Sequence, residues 1–139
     1  MNAELYKDQG YKLMGAAFEV YNEIGYGLSE DVYQESFEIE LALRSIPFVS
    51  KQELACRYKG RELKVRYIPD LFVFGGIVVE LKAATQILPQ FEAQLFNYMR
   101  ISKSPVGYLI NFGNKEKLEW KRLILSELVS AEPDPKPTL

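Results

Sequence analysis

Pro69-Asp70-Leu71-Phe72-Val73-Phe74-Gly75-Gly76-Ile77-Val78-Val79-Glu80-Leu81-Lys82 is the stretch whose reading decides the fold. An extended chain sets Ile77, Val79 and Leu81 on one side and Val78, Glu80 and Lys82 on the other, so Ile77–Lys82 reads as a strand with both faces buried. Glu80 and Lys82 stand about 6.5–7 Å apart along it. A carboxylate and an ammonium on one partly buried face are costly unless they pair with each other, a metal or a substrate. A plain Glu80–Lys82 salt bridge is one solution; a functional cluster is the other. The Gly75-Gly76 reversal sets the register. A two-residue loop would pair Phe74 with Ile77 and set Asp70 against Leu81. A three-residue loop of Phe74, Gly75 and Gly76 pairs Val73 with Ile77 and brings Asp70 opposite Glu80, about 4.5–5.5 Å away at Cβ. The second register is predicted. Two carboxylates that close repel unless one is protonated or a cation lies between them. Donors that are all oxygen select a hard ion, Mg²⁺ or Mn²⁺.

Upstream, Leu13, Ala16, Ala17, Val20 and Ile24 recur at helical spacing, which predicts a helix from about Leu5 to Ile24, stopped by Gly25-Tyr26-Gly27. Ser29 is placed to cap a second helix that runs to about Arg44, with Glu30 and Asp31 in its first turn. Glu30 shares a helix face with Tyr33, Phe37 and Leu41, which turns it toward the interior or a cleft; the simpler reading is an acid that favours the helix N-terminus. Pro47 ends the helix. Phe48 to Phe74 reads as a hairpin, turned at Lys59-Gly60, that continues into a strand.

Downstream, a helix is predicted over Pro89–Ile101 and strands over Val106–Phe112 and Leu118–Leu125. Gln94 and Tyr98 lie one turn apart on a face continued by Phe91 and Ile101, where Gln94 either bonds to backbone or orients a site. The order ααβββαββ predicts an α/β sandwich with a mixed central sheet. Residues 1–130 are read as one domain and the tail 131–139, AEPDPKPTL, as disordered.

Composition removes whole mechanisms. The 139-residue chain has no histidine, so Ser-His-Asp and Cys-His catalysis, His-ligated zinc and a His base are excluded. Cys56 is the single cysteine, and it cannot form an intramolecular disulfide; a reducing, cytoplasmic setting fits. No apolar run approaches the ~18–20 residues of a membrane span. The net charge of -2 argues against a partner held by bulk positive charge. That balance is uneven: Met1–Ile46 holds nine acids and three bases, whereas Pro47–Arg66 holds six bases and two acids. Lys51, Arg57, Lys59, Arg61, Lys64 and Arg66 therefore form a basic surface, either contacting phosphates or discouraging edge pairing.

Pro69-Asp70 followed by Glu80-Leu81-Lys82 resembles the bipartite signature of the PD-(D/E)XK, or restriction-endonuclease-like, nuclease superfamily. Gln94-x-x-x-Tyr98 resembles the Q-x-x-x-Y helix motif of several of its branches. Gly27-Leu28-Ser29-Glu30-Asp31-Val32-Tyr33 is similar to the motif of the GxxExxY family within that superfamily. Two positions depart from the family pattern: Tyr21 stands where a His commonly follows the E-V of the first helix, and Tyr26 where a Pro commonly separates the two glycines. The resemblance implies a restriction-endonuclease-like α/β/α sandwich built on helix, three-stranded meander, helix and strand, with metal-dependent hydrolysis of a phosphodiester. Under it, Asp70 and Glu80 hold Mg²⁺ (or Mn²⁺), and Lys82 orients the attacking water and stabilises the developing charge. Glu30, Gln94 and Tyr98 complete the site. DNA is favoured over RNA as the partner, structure-selective cleavage like that of junction resolvases is a candidate, and a homodimer would enlarge the phosphate footprint. Two other readings compete. One is a catalytically inactive nucleic-acid- or protein-binding module that retains the fold, and the other is a dimerisation protein that uses its 13% aromatic residues as interface.

Overall fold

The computed structural model describes residues 5–130. The tail 131–139 lies outside the described residues. Two helices come first, α1 (Lys7–Ile24) and α2 (Glu30–Leu43), followed by the strands β1 (Phe48–Ser50), β2 (Leu54–Tyr58), β3 (Arg61–Tyr67), β4 (Leu71–Val73) and β5 (Ile77–Lys82). Helix α3 (Pro89–Ser102), strands β6 (Val106–Asn111) and β7 (Glu119–Ile124) and a short α4 (Ser126–Ser130) complete the chain.

Five strands form one mixed sheet in the order β1-β4-β5-β6-β7, with β5 and β6 parallel and every other pair antiparallel. Helix α3 is the crossover that a parallel pair requires. The alternation in β5 sorts the core as the sequence predicts. Ile77, Val79 and Leu81 pack with α1 and α2, joined by Leu71, Val73, Tyr108 and Ile110. Val78 and Leu109 pack on the opposite side, with Leu95 and Met99 of α3. On the α2 side Tyr33 stacks on Phe112 at 4.7 Å, and Phe37 meets the same ring edge-on at 6.2 Å.

Three expectations change. The stretch 48–74 is not one hairpin running on into a strand. β1 pairs with β4, and β2 and β3 form their own two-stranded sheet, so the meander of the main sheet is β1-β4-β5 with a hairpin inserted into it. Pro69 is the cause, because it has no N–H to continue the β3 ladder into β4. The hairpin turn lies at Lys59-Gly60 as expected, with φ of 49° and 78°; both residues take the left-handed conformation that a two-residue hairpin loop demands. Second, Ser29 occupies the N-cap of α2, but its hydroxyl makes no capping bond; its carbonyl accepts the N–H groups of Val32 and Tyr33 instead. Third, the buried face of α3 is Leu95 and Met99, which leaves Gln94 exposed rather than within an apolar stripe.

Candidate carboxylate–lysine site

The Phe74-Gly75-Gly76 loop has the predicted three-residue length. Phe74 and Gly75 sit at φ of 56° and 72°, the Gly76 N–H donates to Val73 O, and Val73 pairs with Ile77. Leu71 then opposes Val79, which leaves Asp70 and Glu80 as the residues just beyond that pair. The Asp70 backbone N–H donates to Glu80 Oε1 at 2.8 Å, and Asp70 Oδ2 accepts the Leu81 N–H at 2.7 Å. The two carboxyls are thus fixed by main-chain amides on adjacent strands.

Glu80 is only 4% exposed. Burial first, and then the neighbouring Asp70 carboxylate, pushes its carboxyl up to about 8. The Asp70 N–H and the Lys82 charge pull the other way without reversing the shift. Lys82 does not form the salt bridge with Glu80 that the strand spacing allowed. Its ammonium donates to Gln94 Oε1 at 3.1 Å and lies 4.7 Å from the centre of the Phe91 ring. Tyr98, one turn beyond Gln94, packs edge-on against Tyr67 of β3 at 5.5 Å. Burial, with Glu80 and then Asp70 nearby, raises its hydroxyl to about 12, which keeps it protonated as a donor.

Two residues are placed differently from expectation. Glu30 is exposed at the first position of α2, a turn before the first buried residue Tyr33, and makes no hydrogen bond or ion pair among the described residues. The α2 side chain that reaches the site is Gln34, whose Nε2 donates to Asp70 O at 3.1 Å and to Glu38 Oε2 at 2.7 Å. Lys51 is not on the hairpin. It follows β1, and its Nζ sits 2.7 Å from Asp70 Oδ1. Burial alone would lower the Lys51 ammonium, but the Asp70 hydrogen bond and the charges of Asp70, Glu80 and Asp31 raise it. Sequence reading missed Gln34 and misplaced Lys51 because both reach Asp70 across elements, and no local spacing records that.

On the hairpin, Arg57 lies 3.6 Å from Glu62, and Arg66 contacts Glu62 at 2.8 Å and Glu53 at 3.9 Å. Lys59, Arg61 and Lys64 are exposed without an ion pair among the described residues. Two tyrosines of the first half have structural work. The Tyr33 hydroxyl donates to Gly25 O and accepts the Leu28 N–H at 3.3 Å, which closes the α1–α2 loop. The Tyr21 hydroxyl donates to Asn114 O, while Tyr26 is exposed.

The donor set fits a hard divalent ion. Two carboxyls, one of them pushed up to about 8 by burial first and the neighbouring carboxylate second, supply the one or two anionic ligands such an ion takes from protein, with water and phosphate filling the rest. Among the described residues no third Asp, Glu, Cys or His joins them.

A family model of the PD-(D/E)XK nuclease superfamily matches residues 7–123, so the chain belongs to that superfamily. The solved crystal structure of SSO0001 shares the fold, with a TM-score of 0.57 at 16% sequence identity over 90% of this chain. The present chain spans 64% of that protein's length. No curated protein sequence matches the chain. Among the described residues, no helix is long and apolar enough to cross a membrane.

Proposed function

We propose that the protein is a metal-dependent nuclease that hydrolyses phosphodiester bonds, in DNA rather than RNA, with selectivity for branched or distorted structure. The observation that carries this reading is Glu80: a carboxyl 4% exposed, beside a second carboxylate, with no ion pair of its own among the described residues. Such a pair is costly in a resting fold and useful at a cation site. Asp70 and Glu80 would hold Mg²⁺ (or Mn²⁺). Bound there, the ion would polarise the scissile phosphate and lower the pKa of the attacking water.

The chain's own groups do the rest. Gln94 holds the Lys82 ammonium beside the carboxylates, and Lys82 orients the water and neutralises charge growing on the phosphate. Tyr98 remains a hydroxyl donor toward the nucleic-acid strand. From α2, Gln34 fixes the Asp70 backbone, a role that Glu30 is not placed to share. The footprint for the duplex is Lys59, Arg61 and Lys64, and a homodimer would double it. Membership of the GxxExxY group is proposed on Gly27, Glu30 and Tyr33, and a reducing, cytoplasmic setting on the buried free thiol of Cys56.

The test is incubation with linear, circular, single-stranded and branched DNAs and with RNA, in Mg²⁺ and in Mn²⁺, beside Lys82→Ala. Cleavage of branched DNA that disappears in Lys82→Ala is expected. Cleavage undiminished in that variant overturns the site, and metal binding without any cleavage points to a binding module that retains the fold.

A further inference from the structure

We propose that Lys51 is an internal competitor for the cation at Asp70: its ammonium neutralises the metal-free carboxylate and must leave when a divalent ion arrives. The inference rests on the metal-dependent reading above. Lys51 Nζ lies 2.7 Å from Asp70 Oδ1, whereas Oδ2 is held by the Leu81 N–H, a main-chain donor fixed by the β5 ladder. Of the two oxygens, Oδ1 is therefore the one with a removable partner. An ammonium and a divalent ion on one carboxylate oxygen are like charges at contact distance, and they exclude each other.

The geometry also decides which group moves. The Asp70 side chain is 14% exposed and held by the Leu81 N–H of β5, while that of Lys51 is 51% exposed. The Lys51 backbone stays anchored through its N–H to Asp70 O at 3.1 Å. Only the flexible four-carbon arm has to swing. The groups facing the ammonium are Asp70, Glu80 and, from α2, Asp31; Glu38 is engaged by Gln34 and Ser50. A released Lys51 therefore stays at the rim of the site, where an incoming phosphate is the strongest new partner.

Coupling follows. Whatever draws Lys51 off Asp70 strengthens metal binding, and by reciprocity the metal frees Lys51 for that partner. Metal and phosphodiester would then bind cooperatively through one lysine, with no movement of the sheet.

Calorimetric titration of the full chain with Mn²⁺ alone, without nucleic acid, tests this. Lys51→Met is expected to bind Mn²⁺ about tenfold more tightly than the unaltered protein while melting at a lower temperature. A merely structural lysine would leave affinity unchanged or lower it. Lys51→Gln, which keeps a polar head without charge, gives the same tightening and decides the matter if the methionine variant fails to fold. Lys51→Arg keeps the cation and binds no more tightly than the unaltered protein. Equal or weaker affinity in the neutral variants, or tighter affinity in Lys51→Arg, overturns the competitor and leaves the nuclease reading standing. No binding heat in any of the proteins overturns both.

Discussion

The carboxylate site and the β2–β3 hairpin are both dense in charge, and they treat it in opposite ways. In the five-stranded sheet Glu80 is buried, its proton is held to about 8, and its neighbours are fixed by backbone amides. On the hairpin every residue of β3 except Tyr67 is exposed, and Arg57 and Arg66 are spent largely on Glu62 and Glu53. Desolvation makes the first cluster costly as it stands, because a charge that cannot be screened must find a partner. The second remains a solvated field, worth little per pair and sensitive to salt.

The sharpest way to break that contrast is to remove a charge from the carboxylate site. Asp70→Asn should abolish the heat of Mn²⁺ binding and cut cleavage about a thousandfold or more, whereas Lys82→Ala should cut cleavage about a hundredfold or more with metal binding retained. Calorimetry and initial rates measured side by side separate the two. Equal loss of metal affinity in both variants would show that Lys82 acts as a ligand-site element and not on the reacting groups.

Next in size is the response of the metal-free protein to pH. Glu80 holds its proton to about 8 in the folded state but releases it near the usual 4.5 when unfolded, so folding favours the protonated form. Stability from this group is complete below about pH 4.5 and is lost as the pH rises toward 8. The thermal midpoint should therefore fall over pH 5–8.5, and Glu80→Gln, which keeps the acceptor for the Asp70 N–H, should flatten that fall. Parallel curves for the two proteins would sink the claim.

Smaller effects belong to the hairpin. Arg61→Ala and Lys64→Ala should each weaken duplex binding about two- to fivefold and lower the salt slope by about one, with no change in Mn²⁺ affinity. Arg57→Ala should do less, since Glu62 already opposes that charge at 3.6 Å. Binding measured across a salt series ranks them. Smallest is Gly60→Ala: at φ of 78° a side chain is strained, and about 1 kcal/mol of stability should go without disturbing the carboxylates. A thermal midpoint, read beside Mn²⁺ affinity, checks both halves of that statement.

What was legible in the sequence follows from which interactions are local. The Phe74-Gly75-Gly76 loop fixed the pairing of Val73 with Ile77, and with it the meeting of Asp70 and Glu80, because loop length and strand alternation are properties of adjacent residues. The faces of β5 were legible for the same reason. Lys51 and Gln34 were not, since their contacts to Asp70 span 19 and 36 residues. Glu30 was misread because a helical face says which residues align with Tyr33, not how far the burial extends toward the N-terminus. The pairing of β1 with β4 escaped notice because β1 is only three residues long, too short for alternation to mark it.

That pairing also sets the hairpin off as an insertion, joined to the rest of the fold at its base and where Tyr67 meets Tyr98 of α3. β1 and β4 lie side by side, with Ser50 opposite Leu71, so the intervening chain leaves and re-enters the sheet at one place. Its base is closed by Lys51 and Asp70, whose backbones hydrogen-bond at 3.1 Å. A segment tied off in this way can be lengthened or recharged at its Lys59-Gly60 tip, whereas its Tyr67 end keeps its contact with Tyr98 of α3. The exposed charges of the hairpin tip and the carboxylate site are thus free to change on separate pieces of the chain.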